Sequence, residues 1–345
     1  MKKVLVAPLN WGLGHASRCI PIIKELQKKH FQPVIASNDE ALEFLKQEFP
    51  SLETLELPSY QISYGKHLKW NLIKRLPSLQ KVVKAEQKII EEYISNHSEV
   101  VGVISDNRFG VYSKKVPSVY ITHQIRVLSG IFTPITSWVH QQIIQKFDEC
   151  WIPDEKASKY SGKLSKSTTS LNQKYIGVLS RFEKKDLKKH IDILIVLSGP
   201  EPNRSHLEKK LIETFHTSEK NIFLIQGTLD SQQKTRTQGH LTILNYALSK
   251  ELEKLLNASN YVICRSGYSS IMDLVSLGKP ALLIPTKHQN EQEYLAKYHR
   301  KNQQFEVMTE KELNNKKLSF PSEVSLGSFQ KSPFDPNLFR LFQGK

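Results

Sequence analysis

Short apolar runs rich in branched residues alternate with longer amphipathic segments, and this alternation limits the fold more than any other feature. The chain begins with "KKVLVAPL", "CIPIIKELQKKH", "QPVIAS" and "DEALEFLKQEF". Such an order is typical of βαβ units, whose strands are parallel. The same rhythm restarts at "IDILIVLSG" and continues through "YVICRSG" and "PALLIPT". The sequence therefore predicts an α/β protein with two Rossmann-like, doubly wound parallel-sheet domains.

A break in the alternation separates the two halves. The stretch "EKASKYSGKLSKSTTS" is rich in lysine and serine, which indicates a connecting region. We expect an N-terminal domain over residues 1–165, an interdomain region over 166–189 and a C-terminal domain over 190–325. Residues 326–345 are expected to form a tail that packs back on the N-terminal domain. Ligands of such domains bind beyond the carboxyl ends of the strands, so two facing domains would form a cleft.

The composition excludes several classes of protein. Three scattered cysteines predict neither a disulfide framework nor a structural zinc site, and they fit a reducing cytoplasm. No run approaches the roughly 20 apolar residues of a membrane span, so we expect a protein that is soluble or peripheral at the inner face of the cytoplasmic membrane. The net charge of +15 indicates an acidic partner. No zinc finger or RNA-binding strand motif is present, so nucleic acid is not the expected partner.

One basic segment, between Lys66 and Lys88, interleaves cations with tryptophan, leucine and isoleucine. A segment of this kind can lie on an anionic membrane surface. A solvated face of a core helix is the alternative interpretation. The cations expected to meet such a membrane are Lys66, Lys69, Lys74 and Arg75.

The segment "NWGLGHASR" stands at the first predicted strand-to-helix corner. Gly12 and Gly14 permit a tight turn, and the helix that follows would direct its N–H groups at an anion. Arg18 stands where a dinucleotide fingerprint has its last glycine, so that function is not expected. His15 would lie at the mouth of the site, and a plain turn with a surface histidine remains the alternative.

A second cluster of polar residues lies in "CRSGYSSIMDLVSLGKPALLIPTKHQNEQEYLA". Its first part ends a strand and opens a helix, and hydroxyl and amide donors in the first turn suit an anion. A carboxylate one turn later suits the hydroxyls of a ribose. A capped helix with an ordinary polar loop is the alternative. The candidate residues are Arg265, Ser266, Gly267, Ser269, Asp273, His288, Asn290 and Gln292.

This block resembles the nucleotide-sugar site of family 28 glycosyltransferases, and "GLGH" resembles the N-terminal glycine loop of that family. The resemblance implies the GT-B fold, a UDP-sugar donor held mainly by the C-terminal domain, and inversion at the anomeric carbon. By position, Asp273 matches the residue that binds the ribose, while Gln292 and Asn290 match those that read the sugar. His15 matches the histidine of the glycine loop, proposed in the family as a base or as a stabiliser of the diphosphate.

The same resemblance extends to other positions. Arg181 falls near the expected diphosphate, Ser198 and Gly199 take the place of the diphosphate loop, and the backbone at Asn245 and Tyr246 would meet the uracil. The loop "LSGPEP" departs from the family, since its two prolines remove two potential N–H donors.

Two further strand ends could line the acceptor side. "SDNRFG" supplies Asp106, Asn107 and Arg108, and "ITHQIR" supplies His123. An Asx turn or a helix cap is the alternative role for Asp106. Both His15 and Asp106 are candidate bases, and His15 leads because an imidazole titrates near working pH.

The sequence therefore predicts an inverting glycosyltransferase that moves a hexosyl or N-acetylhexosaminyl group. Its acceptor is left open and could be lipid-linked or part of the cell envelope. No Asp-x-Asp segment is present, so neither a metal nor any other cofactor is expected besides the nucleotide-sugar. Two alternatives remain open: a nucleotide-sugar hydrolase in which His15 activates water, and a non-catalytic protein that binds a nucleotide or a membrane surface.

Overall fold

The computed structural model describes residues 1–60, 68–228, 232–314 and 334–344, without the side chains of 68–77. The chain divides into two compact units. Unit 1 comprises Met1–Leu179 with Ser332–Lys345, and unit 2 comprises Ser180–Lys331.

Unit 1 has a sheet of seven parallel strands in the order β3-β2-β1-β4-β5-β6-β7. Strands β1 and β4 lie in the middle and are almost wholly buried, which explains their continuous apolar runs. The elements are β1 (Lys3–Pro8), α1 (Leu13–Lys28), β2 (Gln32–Ser37), α2 (Asp39–Glu48), β3 (Thr54–Glu56), α3 (Leu68–Asn96), β4 (Val100–Asp106), β5 (Ser118–Ile121), α4 (Thr133–Ile144), β6 (Glu149–Ile152) and β7 (Gln173–Tyr175).

The end of the chain packs on the sheet of unit 1. Phe339 and Phe342, from a 3-10 turn at Leu338–Phe342, contact the buried ring of Trp151. A methyl group placed on Gly102 of β4 would overlap the Phe342 ring at 2.1 Å. Gly102 therefore leaves the space that the tail fills.

Unit 2 has a second seven-stranded sheet in the order β10-β11-β9-β8-β12-β13-β14. All of its pairings are parallel except that of β10 with β11. The elements are β8 (Ile191–Val196), α5 (Asn203–Phe215), β9 (Ile222–Ile225), β10 (Thr235–Gln238), β11 (Leu241–Leu244), α6 (Ser249–Ala258), β12 (Ser259–Cys264), α7 (Tyr268–Leu277), β13 (Ala281–Leu283), α8 (Asn290–Lys301) and β14 (Glu306–Val307).

The structure confirms the predicted α/β class with two parallel sheets. It differs from the prediction at β10, which pairs antiparallel with β11. This strand is exposed along its whole length and turns back at Gly239, which has a φ of +58°. A polar edge strand of this kind has no apolar run, so the apolar rhythm of the sequence did not reveal it.

The basic segment is only partly covered by the structure. Lys66 lies outside the described residues. The structure describes the backbone of Lys69, Lys74 and Arg75 on α3 but not their side chains. Contact of these cations with a membrane stays a prediction. Among the helices that the structure describes, none has the length and apolar composition needed to cross a bilayer.

Arg108 corrects one expectation from the sequence. Its side chain is fully buried and forms an ion pair with the buried Glu86, with 2.7 Å between Nε and Oε1. The other nitrogens donate to Asn38 Oδ1 and to the Pro58 carbonyl, both at 2.7 Å. The guanidinium therefore ties α3 to loops beside β2 and β3, and it offers no exposed face to an acceptor.

We predict that Arg108→Ala lowers the free energy of unfolding by about 3–5 kcal/mol, because it leaves the Glu86 carboxylate buried without its cation. Urea unfolding followed by circular dichroism measures the loss. The double variant Arg108→Met/Glu86→Gln should recover much of it, since both charges are then absent. A single variant as stable as the wild type would contradict this structural role.

Candidate active site

The loop between β1 and α1 brings His15 to the carboxyl edge of the first sheet. Gly12 precedes the helix with φ 75° and ψ 161°, a conformation that only glycine adopts readily. The helix begins at Leu13, so Gly14 and His15 lie in its first turn. The sequence pattern thus predicted this strand-to-helix corner correctly. Of its two glycines, Gly12 has a backbone conformation that requires glycine, whereas Gly14 lies inside the helix.

His15 meets Asp106, which ends β4. The Nδ1 atom of His15 lies 2.9 Å from Oδ1 of Asp106, and the His15 side chain keeps 16% of its surface exposed. Arg18 donates to both carboxylate oxygens of Asp106, which is fully buried. The arrangement holds the imidazole between a fixed carboxylate and the surface.

The charges of this cluster set the protonation of its members. Burial lowers the pKa of His15, the Arg18 charge lowers it further, and Asp106 opposes them. Burial opposes ionisation of Asp106, but Arg18 and His15 outweigh it and hold the pKa of that carboxyl well below its usual range. His15 is therefore neutral near pH 7, whereas Asp106 is an ion and a poor base.

His123 and Asn107 complete the surroundings of Asp106. His123 follows β5, is buried, and has its Nδ1 3.1 Å from Nη1 of Arg18. Asn107 has a φ of +59°, donates to Asp106 Oδ1 at 3.2 Å and accepts from the Tyr120 hydroxyl at 3.1 Å. The structure thus brings Asn107 and His123 to His15 and Asp106, whereas Arg108 points away into the core.

In unit 2 the predicted donor residues also gather at one edge of a sheet. Strands β11, β8, β12 and β13 are parallel, and the segments after them carry Asn245, Ser198 with Gly199, Arg265 with Ser266 and Gly267, and His288 with Asn290. This edge is where ligands of doubly wound sheets bind.

Helix α7 presents its N-terminus at this edge. Gly267 precedes the helix, and Ser269 lies in its first turn. Asp273 lies one turn further on and accepts a hydrogen bond from the Ser180 hydroxyl at 2.6 Å. The carboxylate is thus fixed close to a helix N-terminus whose dipole favours an anion.

Several predicted donor side chains are used inside the unit. The buried Arg265 donates to Glu310 at 2.6 Å and to the Asn203 carbonyl at 2.8 Å. The buried Ser266 hydroxyl donates to the Gln292 carbonyl at 2.9 Å. These two side chains hold loops in place, which corrects the expectation that they face a donor.

Asn245 and Gln292 are similarly engaged through their amides. Asn245 donates to the Gln232 carbonyl at 2.9 Å and accepts from the Lys234 amide at 2.7 Å. Gln292 accepts from the Thr286 amide at 2.9 Å through its side-chain oxygen. Both side chains therefore hold backbone segments in place at this edge. The contact expected between Asn245 and uracil involves backbone atoms, and it stays a prediction.

The loop after β8 leads into the N-terminus of α5. Gly199 has a φ of +101°, and a methyl group on Gly227 would lie 2.4 Å from the Leu197 carbonyl. The carboxylate of Glu201 binds Arg204 and accepts from the Ser205 amide at 3.2 Å, so it occupies the N-terminus of α5 itself. A phosphate contact at Ser198 and Gly199 stays a prediction.

The remaining donor residues stand at the surface of unit 2. His288 is exposed, with a φ of +67°, and its amide donates to Glu293 at 2.9 Å. Asn290 begins α8. Arg181 is half-buried near the start of the unit, and its guanidinium lies 4.8 Å from the centre of the Phe182 ring.

Sequence reasoning missed two partners of the site. The spacing of three residues places Arg18 on the same helix face as His15, but it does not predict that the guanidinium binds Asp106. Ser180, which holds Asp273, is 93 positions away from it, and no local pattern connects them. In the described part of the chain, no group of three or more His, Cys, Asp and Glu residues is placed to hold a metal ion.

Comparisons with known proteins agree with the fold. Residues 193–320 match the glycosyltransferase family 28 C-terminal domain. The chain is 21% identical over 299 residues to the UDP-N-acetylglucosamine–N-acetylmuramyl-(pentapeptide) pyrophosphoryl-undecaprenol N-acetylglucosamine transferase of Haemophilus ducreyi, covering 85% of this chain and 81% of that protein. It is 24% identical over 323 residues to an uncharacterised glycosyltransferase of Methanosarcina acetivorans, covering 84% and 81%.

Solved structures show the same architecture. The MurG protein of Acinetobacter baumannii matches with a TM-score of 0.54 at 13% identity, over 90% of this chain and 86% of that one. The calicheamicin glycosyltransferase CalG4 matches with a TM-score of 0.60 at 11% identity, over 91% and 87%. Residues 193–320 thus match the family 28 C-terminal domain, and the chain as a whole has the GT-B fold.

Proposed function

We propose that the protein transfers a sugar from a UDP-sugar to a hydroxyl of a lipid-linked acceptor, with inversion and without a metal ion. The observation that carries this proposal is the His15–Asp106–Arg18 cluster at the carboxyl edge of unit 1, in a chain whose residues 193–320 match the family 28 C-terminal domain. The relatives named for a UDP-N-acetylglucosamine donor and a pyrophosphoryl-undecaprenol acceptor support both substrate classes.

In the proposed mechanism His15 is the general base. Its Nδ1 lies 2.9 Å from Asp106 Oδ1 and 2.8 Å from Arg18 Nη2. In the proposed tautomer Nδ1 carries the proton and donates it to Asp106, so Nε2 is the nitrogen that takes the proton of the acceptor hydroxyl. The acceptor oxygen then attacks the anomeric carbon, the bond to the diphosphate breaks, and the nucleoside diphosphate leaves with the electron pair. A single displacement of this kind inverts the carbon. Asp106 acts by holding the imidazole and stabilising the imidazolium that forms.

The donor is assigned to the edge of unit 2. Asp273, fixed by Ser180, would accept from the ribose hydroxyls. The N-terminus of α7 at Gly267 and Ser269, with Arg181, would stabilise the charge that develops on the leaving diphosphate. Asn290 and the segment held by Gln292 would read the sugar. Because these groups would stabilise the leaving diphosphate without a metal cation, they support a metal-independent reaction.

We predict that His15→Ala lowers kcat by about 100-fold or more, the size expected for a lost general base, while UDP-sugar binding is retained. Steady-state kinetics and calorimetry measure the two quantities. Because the neutral imidazole is the active form and its pKa is lowered, kcat/KM should fall only below pH 6.5, the ordinary imidazole value. A variant with normal turnover would remove His15 from the chemistry.

Asp273→Asn should weaken UDP binding by about 10-fold or more, as a lost hydrogen bond to a charged group does, because the amide replaces the proposed ribose acceptor. Binding of 2′-deoxy-UDP serves as the matched measurement, since it has one hydroxyl fewer. The wild type should prefer UDP to the deoxy compound more strongly than the variant does. An equal preference in both proteins would exclude a ribose contact at Asp273.

The reaction itself is tested by incubating the full chain with UDP-N-acetylglucosamine, with and without a bacterial lipid extract that supplies polyprenyl-linked acceptors. UDP release should require the extract and should persist in excess chelator. Release of equal amounts of UDP and free sugar without the extract would indicate the hydrolase in which His15 activates water. Loss of turnover that magnesium or manganese restores would contradict metal independence.

A further inference from the structure

Two lysine side chains of unit 2 meet at the end of α6. Lys279 is buried, and its Nζ donates to the Ser259 carbonyl at 2.7 Å and to the Asn257 carbonyl at 3.3 Å. Lys189 donates to the same Asn257 carbonyl, so the two amines lie side by side. Because β12 begins at Ser259, they lie at the amino edge of the sheet, opposite the edge that carries the proposed donor residues.

A third amine, that of Lys184, lies next to them. Gly278 ends α7 with a φ of 61°, and a methyl group placed on it would lie 3.9 Å from Nζ of Lys184. Lys184 and Lys189 are both exposed. Lys184, Lys189 and Lys279 thus form a lysine cluster in which two accessible amines lie beside a buried one.

No carboxylate is ion-paired with the lysine cluster in the part of the chain that the structure describes. The neighbouring Lys185 differs in this respect, because it forms an ion pair with Glu253 of α6. Asp186 is the acidic residue nearest in sequence to Lys184 and Lys185, and among the described residues it has no ion pair. The positive charge of the cluster is therefore not balanced by its immediate surroundings.

Helix capping accounts for only part of this arrangement. Carbonyl groups at a helix C-terminus carry a partial negative charge, which favours a cation there. A buried amine is costly to charge. Burial, followed by the charges of Lys189 and Lys184, lowers the pKa of Lys279 to about 6. The Lys279 amine therefore lies among carbonyls and other cations, and an anion at this place would offset the repulsion between them.

The segment that carries Lys184 runs along α7 from the proposed donor site. The Ser180 hydroxyl donates to Asp273 at 2.6 Å, and the Phe182 carbonyl accepts from the Ser276 hydroxyl at 3.4 Å. Lys184 then lies at the C-terminus of the helix. Every second residue of the segment thus contacts α7, and the segment joins the lysine cluster to Asp273.

We propose that the lysine cluster binds a compact phosphate anion with several negative charges, of the class of inorganic phosphate and pyrophosphate. Lys184 and Lys189 would donate to its oxygens directly, and Lys279 would add its charge from the buried side. Three amines that converge on one point match an anion of this size. Nucleic acid instead requires cations that are spread along a surface.

The bound anion would also strengthen the binding of UDP. By holding Lys184 at the end of α7, it would restrict the segment in which Ser180 fixes the Asp273 carboxylate. Two ligands that favour the same arrangement of one segment strengthen each other's binding. This step rests on the proposed ribose contact of Asp273, whereas the anion site itself does not.

The test is calorimetric titration of the full chain with pyrophosphate, with saturating UDP present to occupy the proposed diphosphate contacts. One equivalent of pyrophosphate should still bind. Lys184→Gln/Lys189→Gln should weaken this binding by about 10-fold or more, the size expected when hydrogen bonds to a charged group are lost. Lys297→Gln/Lys301→Gln, at exposed positions of α8, removes the same charge and should bind like the wild type.

Lys279→Met should weaken the binding of pyrophosphate as well, because the buried charge is lost. Unfolding midpoints verify that each variant is folded, and the Lys184/Lys189 variant keeps the test valid if Lys279→Met does not fold. Full-strength binding by the Lys184/Lys189 variant would overturn the proposal. Binding of phosphatidylglycerol vesicles through these two lysines, without binding of pyrophosphate, would overturn it too and assign them to a lipid surface.

The affinity for UDP tests the second step. Inorganic phosphate should tighten UDP binding by about 5-fold or more in the wild type, and it should not do so in the Lys184/Lys189 variant. Ser180→Ala should retain the phosphate site but lose the tightening. A UDP affinity that phosphate leaves unchanged in the wild type would exclude the coupling.

The anion site and the proposed function fail separately. Binding of pyrophosphate by a chain that transfers no sugar keeps this inference and removes the proposed function. Sugar transfer by a chain that, with UDP bound, takes up no pyrophosphate does the opposite.

Discussion

The parallel pairing of β1 with β4 is the constraint on which the site in unit 1 depends. The two strands align Pro8 with Asp106, and the Leu9 amide donates to the Asp106 carbonyl at 2.9 Å. Parallel neighbours release their following loops at the same edge of a sheet. His15 and Asp106 therefore meet although 91 positions separate them, and Arg18 locks the contact from the next turn of α1.

The short motif "SDNR" contributes one residue to each of two buried ion pairs, which extend in different directions. Asp106 faces the surface cluster with Arg18, whereas Arg108 reaches inward to Glu86 on α3. Asn107, with a positive φ, is the residue at which the chain turns between them. One pair sets the charge around the His15 imidazole, and the other ties α3 to the loops after β2 and β3. The proposed function and the stability of unit 1 thus depend on adjacent residues.

Much of the fold and part of the site could be predicted. The alternation of runs predicted two α/β sheets, and the "CRSG" block predicted the family resemblance, both of which are confirmed. Residue spacing also predicted which strand ends carry polar groups. It could not predict that Arg265 and Ser266 turn inward, because a side chain's direction depends on partners such as Glu310 that lie elsewhere in the chain.

The sequence by itself determined most of the secondary structure, the parallel sheets and the glycine corner at His15, since apolar period and backbone freedom are local properties. Only the tertiary structure decided which charged side chains pair and which buried amides and hydroxyls find hydrogen-bond partners. These outcomes depend on contacts between distant segments. Burial makes each unpaired polar group costly, so the buried side of a helix is chosen by its partners and not by its hydropathy alone.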